Sequence, residues 1–245
     1  MTIVSAHKCD IGQVRKQNED YVWVDDQAGI YILADGMGGR EGGKEASQLA
    51  ATTVGRLVKE QLPALSPSSA TEGVQELVIN AIETANEIVF EAGQKAGHKR
   101  GMKTTIVTAL IRSSTAYISH VGDSRAYLVQ GLNLTQLTED NSWRVEFGGP
   151  EQTKENGRTK IDHMLTKSIG QEAKVEPSFR ELKLTSGDCL LLCSDGLWDM
   201  VGGERIAAEL KRAENDPEQA VEALVDAANA AGGKDNIAVV VIKLV

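Results

Sequence analysis

The sequence predicts an α+β fold in which antiparallel sheets are flanked by helices. Three observations carry this. Strand-like segments of period two come in groups. Two long segments of helical period sit together between the groups. Apolar strands follow one another across short polar turns, so the strict βαβα alternation of a doubly wound parallel sheet is missing. The chain has 245 residues, enough for one large core or two small ones. No linker or internal repeat divides it, so one domain over 1–245 is expected.

Taken in order, residues 2–7 alternate weakly and read as a strand. The polar stretch 10–20 follows, then an apolar-rich strand at 21–24. A turn at 25–29 leads to the buried-strand run 30–35, which makes the pair a hairpin. Residues 30–44, IYILADGMGGREGGK, are the centre of the reading. An apolar strand ends there in one carboxylate, Asp35, and then breaks into glycines, which hold a charge in place and let backbone approach a ligand.

A helix at 44–62 carries Ala46, Leu49, Ala50, Val54, Leu57 and Val58 on one face. A second has Val74, Leu77, Val78, Ala81, Ile82, Ala85, Ile88 and Val89 at i, i+3, i+4 spacing, with Ser69 and Glu72 as a capping box before it. Core packing accounts for both stripes. From Lys103 the period returns to two: 104–111, 115–121, 124–129 and 132–137 read as a meander. Residues 141–162 are polar and without period, an exposed excursion with room for a short helix. Strands at 179–184 and 189–193, helices at 204–213 and 217–231, and a strand at 236–245 complete the chain. Asp216 caps the last helix and Pro217 opens it.

Composition narrows the function. With 41% hydrophobic and 25% charged residues the chain belongs to the ordinary globular class. A formal net charge of −9 argues against a nucleic-acid binder, which must neutralise phosphates. The cysteines, Cys9, Cys189 and Cys193, are odd in number and lack zinc-ligand spacing; the latter two read as core residues in an apolar run. A reducing, cytoplasmic setting is the default. Neither an export signal nor a run of 18 apolar residues is present, so no membrane association is expected.

Four carboxylates share one kind of position, the end or start of an apolar strand beside a turn: Asp35, Asp123, Asp195 and Asp235. Glu19 and Asp20 add a further pair before a strand. Any one of them alone reads as a turn former. Brought together, they would repel and desolvate one another unless a cation lay between them. All-oxygen donors without a His/Cys cluster favour magnesium or manganese over zinc. Arg15 is balanced between gripping a phosphate and a surface ion pair, and Arg125 reads equally as the partner of a carboxylate. The histidines show no ligand spacing, and His120 reads as structural. No GxSxG elbow is present. The run from Gly38 to Glu45 nearly matches a P-loop, but Glu45 stands where a hydroxyl must meet magnesium. A nucleotide hydrolase therefore stays as an alternative.

The motifs together resemble the metal-dependent protein phosphatases, the type 2C serine/threonine class, in their short bacterial form. Those that carry the resemblance are Asp10-x-Gly12-x-x-Arg15-x-x-Asn18-Glu19-Asp20, ADGMGG (34–39), VGDSRAY (121–127), LTKSIG (165–170), LLLCSDGLWD (190–199) and KDNIAVVV (234–241). They keep the family's order over nearly the whole chain. The resemblance implies a four-layer α-β-β-α sandwich of two mostly antiparallel sheets, with two Mn2+ or Mg2+ ions, and a third in bacterial members, in a cleft at one end. Asp35 would bridge two ions. The Gly36 carbonyl would bind the second, Asp195 and Asp235 the first, and Asp123 with Asp195 the third. Glu19, Asp20 and Asn236 would stand in or behind this shell, and Arg15 would hold the substrate phosphate. A hydroxide bridging the metals would attack phosphorus of a phosphoserine or phosphothreonine directly.

Three positions depart from the family. Met37 replaces a histidine proposed to protonate the leaving group. Lys103 replaces a glycine, in GMKTT. Asp140-Asn141-Ser142 replaces DHS or DHT ahead of a short flap, 141–162. No expected ligand is lost, so the resemblance implies an active hydrolase acting on phosphorylated proteins, with a Ser/Thr kinase or its targets as partners and a monomer as the default. A pseudophosphatase that only binds a partner is the remaining alternative.

Overall fold

The computed structural model describes residues 2–37, 42–65, 71–96, 101–147, 154–155, 158–214 and 216–245. Gly38, Gly39, Ser69 and residues 148–150, which the sequence reading used, lie outside them. The first hairpin and its predecessor are β1 (Ile3–Asp10), β2 (Asp20–Asp25) and β3 (Ile30–Met37), followed by helices α1 (Gly42–Gln61) and α2 (Thr71–Ala96). Then come β4 (Lys103–Thr104), β5 (Ile106–Arg112), β6 (Thr115–Val121), β7 (Arg125–Gln130) and β8 (Asn133–Gln136). The excursion holds β9 (Ser142–Phe147), β10 (Lys154–Glu155) and β11 (Arg158–Leu165). The last part is β12 (Ser178–Lys183), β13 (Cys189–Cys193), α3 (Asp195–Trp198), α4 (Gly203–Arg212), α5 (Pro217–Ala230) and β14 (Ile237–Leu244).

The strands form two larger sheets, in the orders β1-β14-β13-β7-β8 and β12-β6-β5-β3-β2, with β4 beside β3. Every paired strand is antiparallel. Period two sorts their side chains into layers. In β3, Ile30, Ile32 and Ala34 join the core under α1 and α2, while Tyr31 and Leu33 face the other sheet. In β14, Val239 and Val241 pack beneath α3, α4 and α5, while Ala238, Val240 and Ile242 meet the sheet that holds β3. The order of layers is therefore helix, sheet, sheet, helix, as the resemblance implied. The antiparallel pairing removes the βαβ context that a P-loop requires.

Three expectations need correction. The segments from 104 to 137 are not one meander: β5 and β6 lie in one sheet and β7 and β8 in the other. The chain changes sheets at Gly122–Ser124, a crossing that requires Gly122 to take φ +106. The excursion contains no helix among its described residues; β10, β11 and β9 form a small sheet of their own, held by backbone pairing that an aperiodic polar sequence does not advertise. Ile88, assigned to the core stripe of α2, is 36% exposed, and Asn86 is buried on the same helix. The Asn86 amide earns that burial by bonding the carbonyl of Glu172 at 3.0 Å and the N–H of Gly170 at 2.8 Å.

Other expectations hold. Asp216 caps α5 by accepting from Gln219 N. Cys189 and Cys193 are buried free thiols. His120 is buried and hydrogen-bonded to the Glu139 carbonyl at 2.7 Å. No helix among the described residues is long and apolar enough to cross a membrane.

One contact between helix and sheet depends on a missing side chain. The indole of Trp23 lies over Gly55 so closely that a Cβ there would be 2.4 Å from its ring. Gly55→Ala is therefore expected to destabilise the fold by about 1–3 kcal/mol through overpacking. Thermal unfolding checks this, and a melting temperature equal to that of the parent would contradict it.

Candidate active site

The acidic residues gather at one end of the two sheets. Asp20 starts β2 and Asp35 nearly ends β3, and the register sets them directly opposite each other. Since Ala34 packs under the helices, the alternation turns Asp35 towards the space between the sheets. Its backbone is locked from β4 and beyond. Asp35 N donates to Thr105 Oγ1 at 3.0 Å, and its carbonyl accepts from Thr105 N and Thr104 Oγ1, both at 2.8 Å. Thr105 Oγ1 also meets Ser124 Oγ at 2.7 Å, which ties Asp35 to the crossing that carries Asp123.

The other sheet supplies Asp195 and Asp235. Ser194, fully buried after β13, donates to Asp20 Oδ2 at 2.8 Å and accepts from Ala238 N at 2.9 Å, bridging the two sheets. Asp195 opens the single turn α3. That turn packs against the start of β14 so tightly that a Cβ at Gly196 would lie 1.9 Å from the Asn236 carbonyl oxygen. Gly36 has the same need for a bare backbone, because a Cβ there would stand 2.2 Å from the Gly43 carbonyl oxygen and 2.6 Å from that of Glu19.

Asn236 acts as a staple. Its Oδ1 accepts from Glu19 N at 2.8 Å, and its Nδ2 donates to the carbonyls of Ile11 and Gln17, both at 3.0 Å. The loop that bears Arg15 is thereby fastened to β14. Arg15 Nη2 contacts Asp235 Oδ2 at 2.5 Å, while Asp235 Oδ1 accepts from Asn236 N. Glu19 works mainly through its carbonyl, which receives Gly36 N and Ser47 Oγ; its side chain bonds Gln17. Arg125 is a carboxylate partner, forked onto Asp140 at 2.9 and 2.6 Å.

Electrostatics sharpen the picture. Asp20 Oδ1 and Asp195 Oδ1 are buried and meet no donor. Each of these carboxyls also has the carboxyl of Asp35 beside it. Burial pushes the Asp35 pKa well up, and Asp20, Asp195, Asp235 and Asp123 push it further. Asp195 is raised by burial and then by Asp235, Asp123 and Asp20. Asp20 is raised by burial to about 7, with Ser194 opposing the shift. Such groups need either a proton or a cation between them. Among the described residues no three His, Cys, Asp or Glu side chains already form a ligand cage. Oxygen-only donors of this kind suit a hard divalent ion.

All the acidic positions singled out in the sequence thus belong to one region. Sequence reasoning missed the neutral residues that hold it: Thr104, Thr105, Ser124, Ser194 and Trp198, whose indole donates to the Asp123 carbonyl at 3.1 Å. The two threonines opening a strand and the serine before Asp195 were the available signals. Met37 pairs with Lys103 across β3 and β4. Lys103 is not among the residues at positive φ, so the family's glycine is not needed here for backbone reasons.

The sequence matches the family described as Protein phosphatase 2C over residues 13–236. It is 36% identical over 242 residues to protein phosphatase PhpP of Streptococcus pneumoniae, covering 96% of this chain and 95% of that one. The structure is similar to the S. agalactiae serine/threonine phosphatase, with a TM-score of 0.81, 32% identity and coverage of 99% and 100%. It is also similar to the catalytic domain of the serine/threonine protein phosphatase PstP in complex with two manganese ions, with a TM-score of 0.75, 31% identity and coverage of 98% and 97%. With its acidic motifs in family order and gathered at one end of the sandwich, the chain belongs to the protein phosphatase 2C family.

Proposed function

We propose that this chain hydrolyses phosphoserine and phosphothreonine in proteins, using manganese or magnesium held by Asp35, Asp195 and Asp235. The observation that carries the reading is a cluster of buried carboxyls in which Asp20 Oδ1 and Asp195 Oδ1 meet no donor and Asp20 stands opposite Asp35 in the ladder. The Gly36 carbonyl completes the donor set, and Asp123 with Asp195 offers a further position. Divalent ions bound there would supply an acidified water and polarise the phosphoryl group.

The chain's own residues do the rest. Ser194 keeps Asp20 oriented behind Asp35, and Asn236 holds the Arg15 loop at the edge of the cleft. The half-exposed guanidinium of Arg15, now on Asp235, reaches solvent and can fork onto a phosphate. Met37 has no proton to give, so the leaving alkoxide takes its proton from solvent in the cleft. The chain acts as a single domain, 1–245. Candidate partners are phosphorylated proteins, including a Ser/Thr kinase or its targets, met by a monomer. The free thiols suit a reducing cytoplasm.

Three measurements test this. Turnover of a phosphothreonine peptide should require manganese or magnesium, stop on chelation, and fall at least about 100-fold in Asp195→Ala, which removes a ligand. No turnover by the folded protein with either metal would leave a partner-binding protein on the same fold. Arg15→Ala should raise KM for the phosphopeptide by about 10-fold or more, since a charge-assisted fork is lost; an unchanged KM would return Arg15 to a simple ion pair.

The third measurement is stability against pH. The Asp35 carboxyl ordinarily titrates at 3.8 and is raised in the folded chain. Between those two values the folded state holds a proton that the unfolded state has lost. Chelator-treated protein therefore loses stability as pH rises through that window. Asp35→Asn should raise its melting temperature at pH 8, make little difference near pH 4, and abolish turnover. An equal melting temperature at pH 8 would contradict the linkage.

A further inference from the structure

Arg125 and Trp198 make a set of contacts that the chemistry above leaves unused. Arg125 forks onto Asp140 and donates Nη1 to the Tyr127 hydroxyl at 2.9 Å. Its guanidinium carbon lies 3.5 Å from the centroid of the Trp198 ring. With its plane fixed by that stack, Trp198 gives its N–H to the carbonyl of Asp123 at 3.1 Å. Trp198 closes the same helical turn that Asp195 opens. One side chain therefore touches the backbone of Asp123 and shares a rigid turn with Asp195.

The next residue along, Asn141, holds the other side of Asp123. Asn141 N donates to the Gly122 carbonyl at 2.9 Å, and Gly122 N donates to Asn141 Oδ1 at 3.0 Å. The Asn141 carbonyl also accepts from Thr166 N at 2.8 Å, so both ends of the excursion meet at this residue. Asp123 raises the cost of charging Asp195. Two such carboxyls keep a set separation only if something other than their own interaction holds them.

We propose that the Arg125–Trp198 stack, anchored by Asp140, is a positioning device that sets the separation of Asp123 and Asp195 and so the affinity of the cation shared by that pair. Trp198 and Arg125 act through Asp123 and touch neither substrate nor ion. The inference rests on the proposed metal reading of the site. It also makes the roots of the excursion and this acidic pair one mechanical unit, because Asp140 and Asn141 are adjacent.

The test is direct manganese titration of chelator-stripped protein by calorimetry. Trp198→Phe keeps a ring for Arg125 to stack on and removes the N–H. Its weakest manganese site should lose about 10-fold in affinity, the usual scale for a residue that orients a ligand, while the tighter binding stays put. Turnover lost at low manganese should recover as manganese is raised. Asp140→Asn, which breaks one arm of the fork and leaves Trp198 in place, should shift the same site in the same direction. It serves in its own right if Trp198→Phe does not fold. Parent and variants with superimposable isotherms would overturn this inference and leave the proposed function standing. A parent that binds no manganese at all would overturn both.

Discussion

Asp20 and Asp35 face each other across two adjacent strands, and the rest of the molecule is arranged around the cost of that pairing. Like charges directly opposite in a ladder are destabilising, and burial removes the water that would screen them. The chain adds Asp195 on a third element and Asp123 and Asp235 nearby, each raising the pKa of Asp35. A fold can tolerate such a concentration of carboxyls when their backbones are held by bonds that do not depend on their charge. It can exploit them when a divalent ion is the partner that their charge requires.

The holding is done by neutral groups. Thr104 and Thr105 take up the Asp35 backbone, Ser194 joins the two sheets under Asp20, and Asn236 uses its amide at three points of the loop that bears Arg15. The bond from Ser194 to Asp20 is buried and the others are partly so, which raises the cost of leaving them unmade and makes each a restraint on position. Two bare glycines, Gly36 and Gly196, let backbone approach where any side chain would collide. The three apolar cores supply the rigid frame. Charge is thus concentrated at one end of the sheets, and its positions are set by residues that carry none.

Much of this was legible in the sequence. The stripes of α1 and α2, the hairpin of β2 and β3, and the cap of α5 follow from local period and local chemistry, and each recurs in the structure. The acidic motifs were legible as well, because a carboxylate at the end of an apolar strand stands out against its surroundings. Ile88 departs from its stripe because a stripe gives a direction and not a depth: the helix turns Ile88 to its edge and buries the amide of Asn86, which finds partners in a distant loop. The excursion was misjudged because its small sheet pairs backbone with backbone, which leaves little mark on the side-chain pattern.

Outside the excursion and α3, the sequence by itself determined the element types, the antiparallel class, the acidic residues and, through their motifs, the family. Those depend on period and on residues a few places apart. Only the tertiary structure decided that the chain changes sheets at Gly122–Ser124, that Asp20 stands opposite Asp35, and that Trp198 reaches back to Asp123. Each of these joins residues far apart in the chain, and their contacts depend on the register and stacking of the whole sandwich. No local pattern records that register, because the energy that selects it comes from burying three cores together.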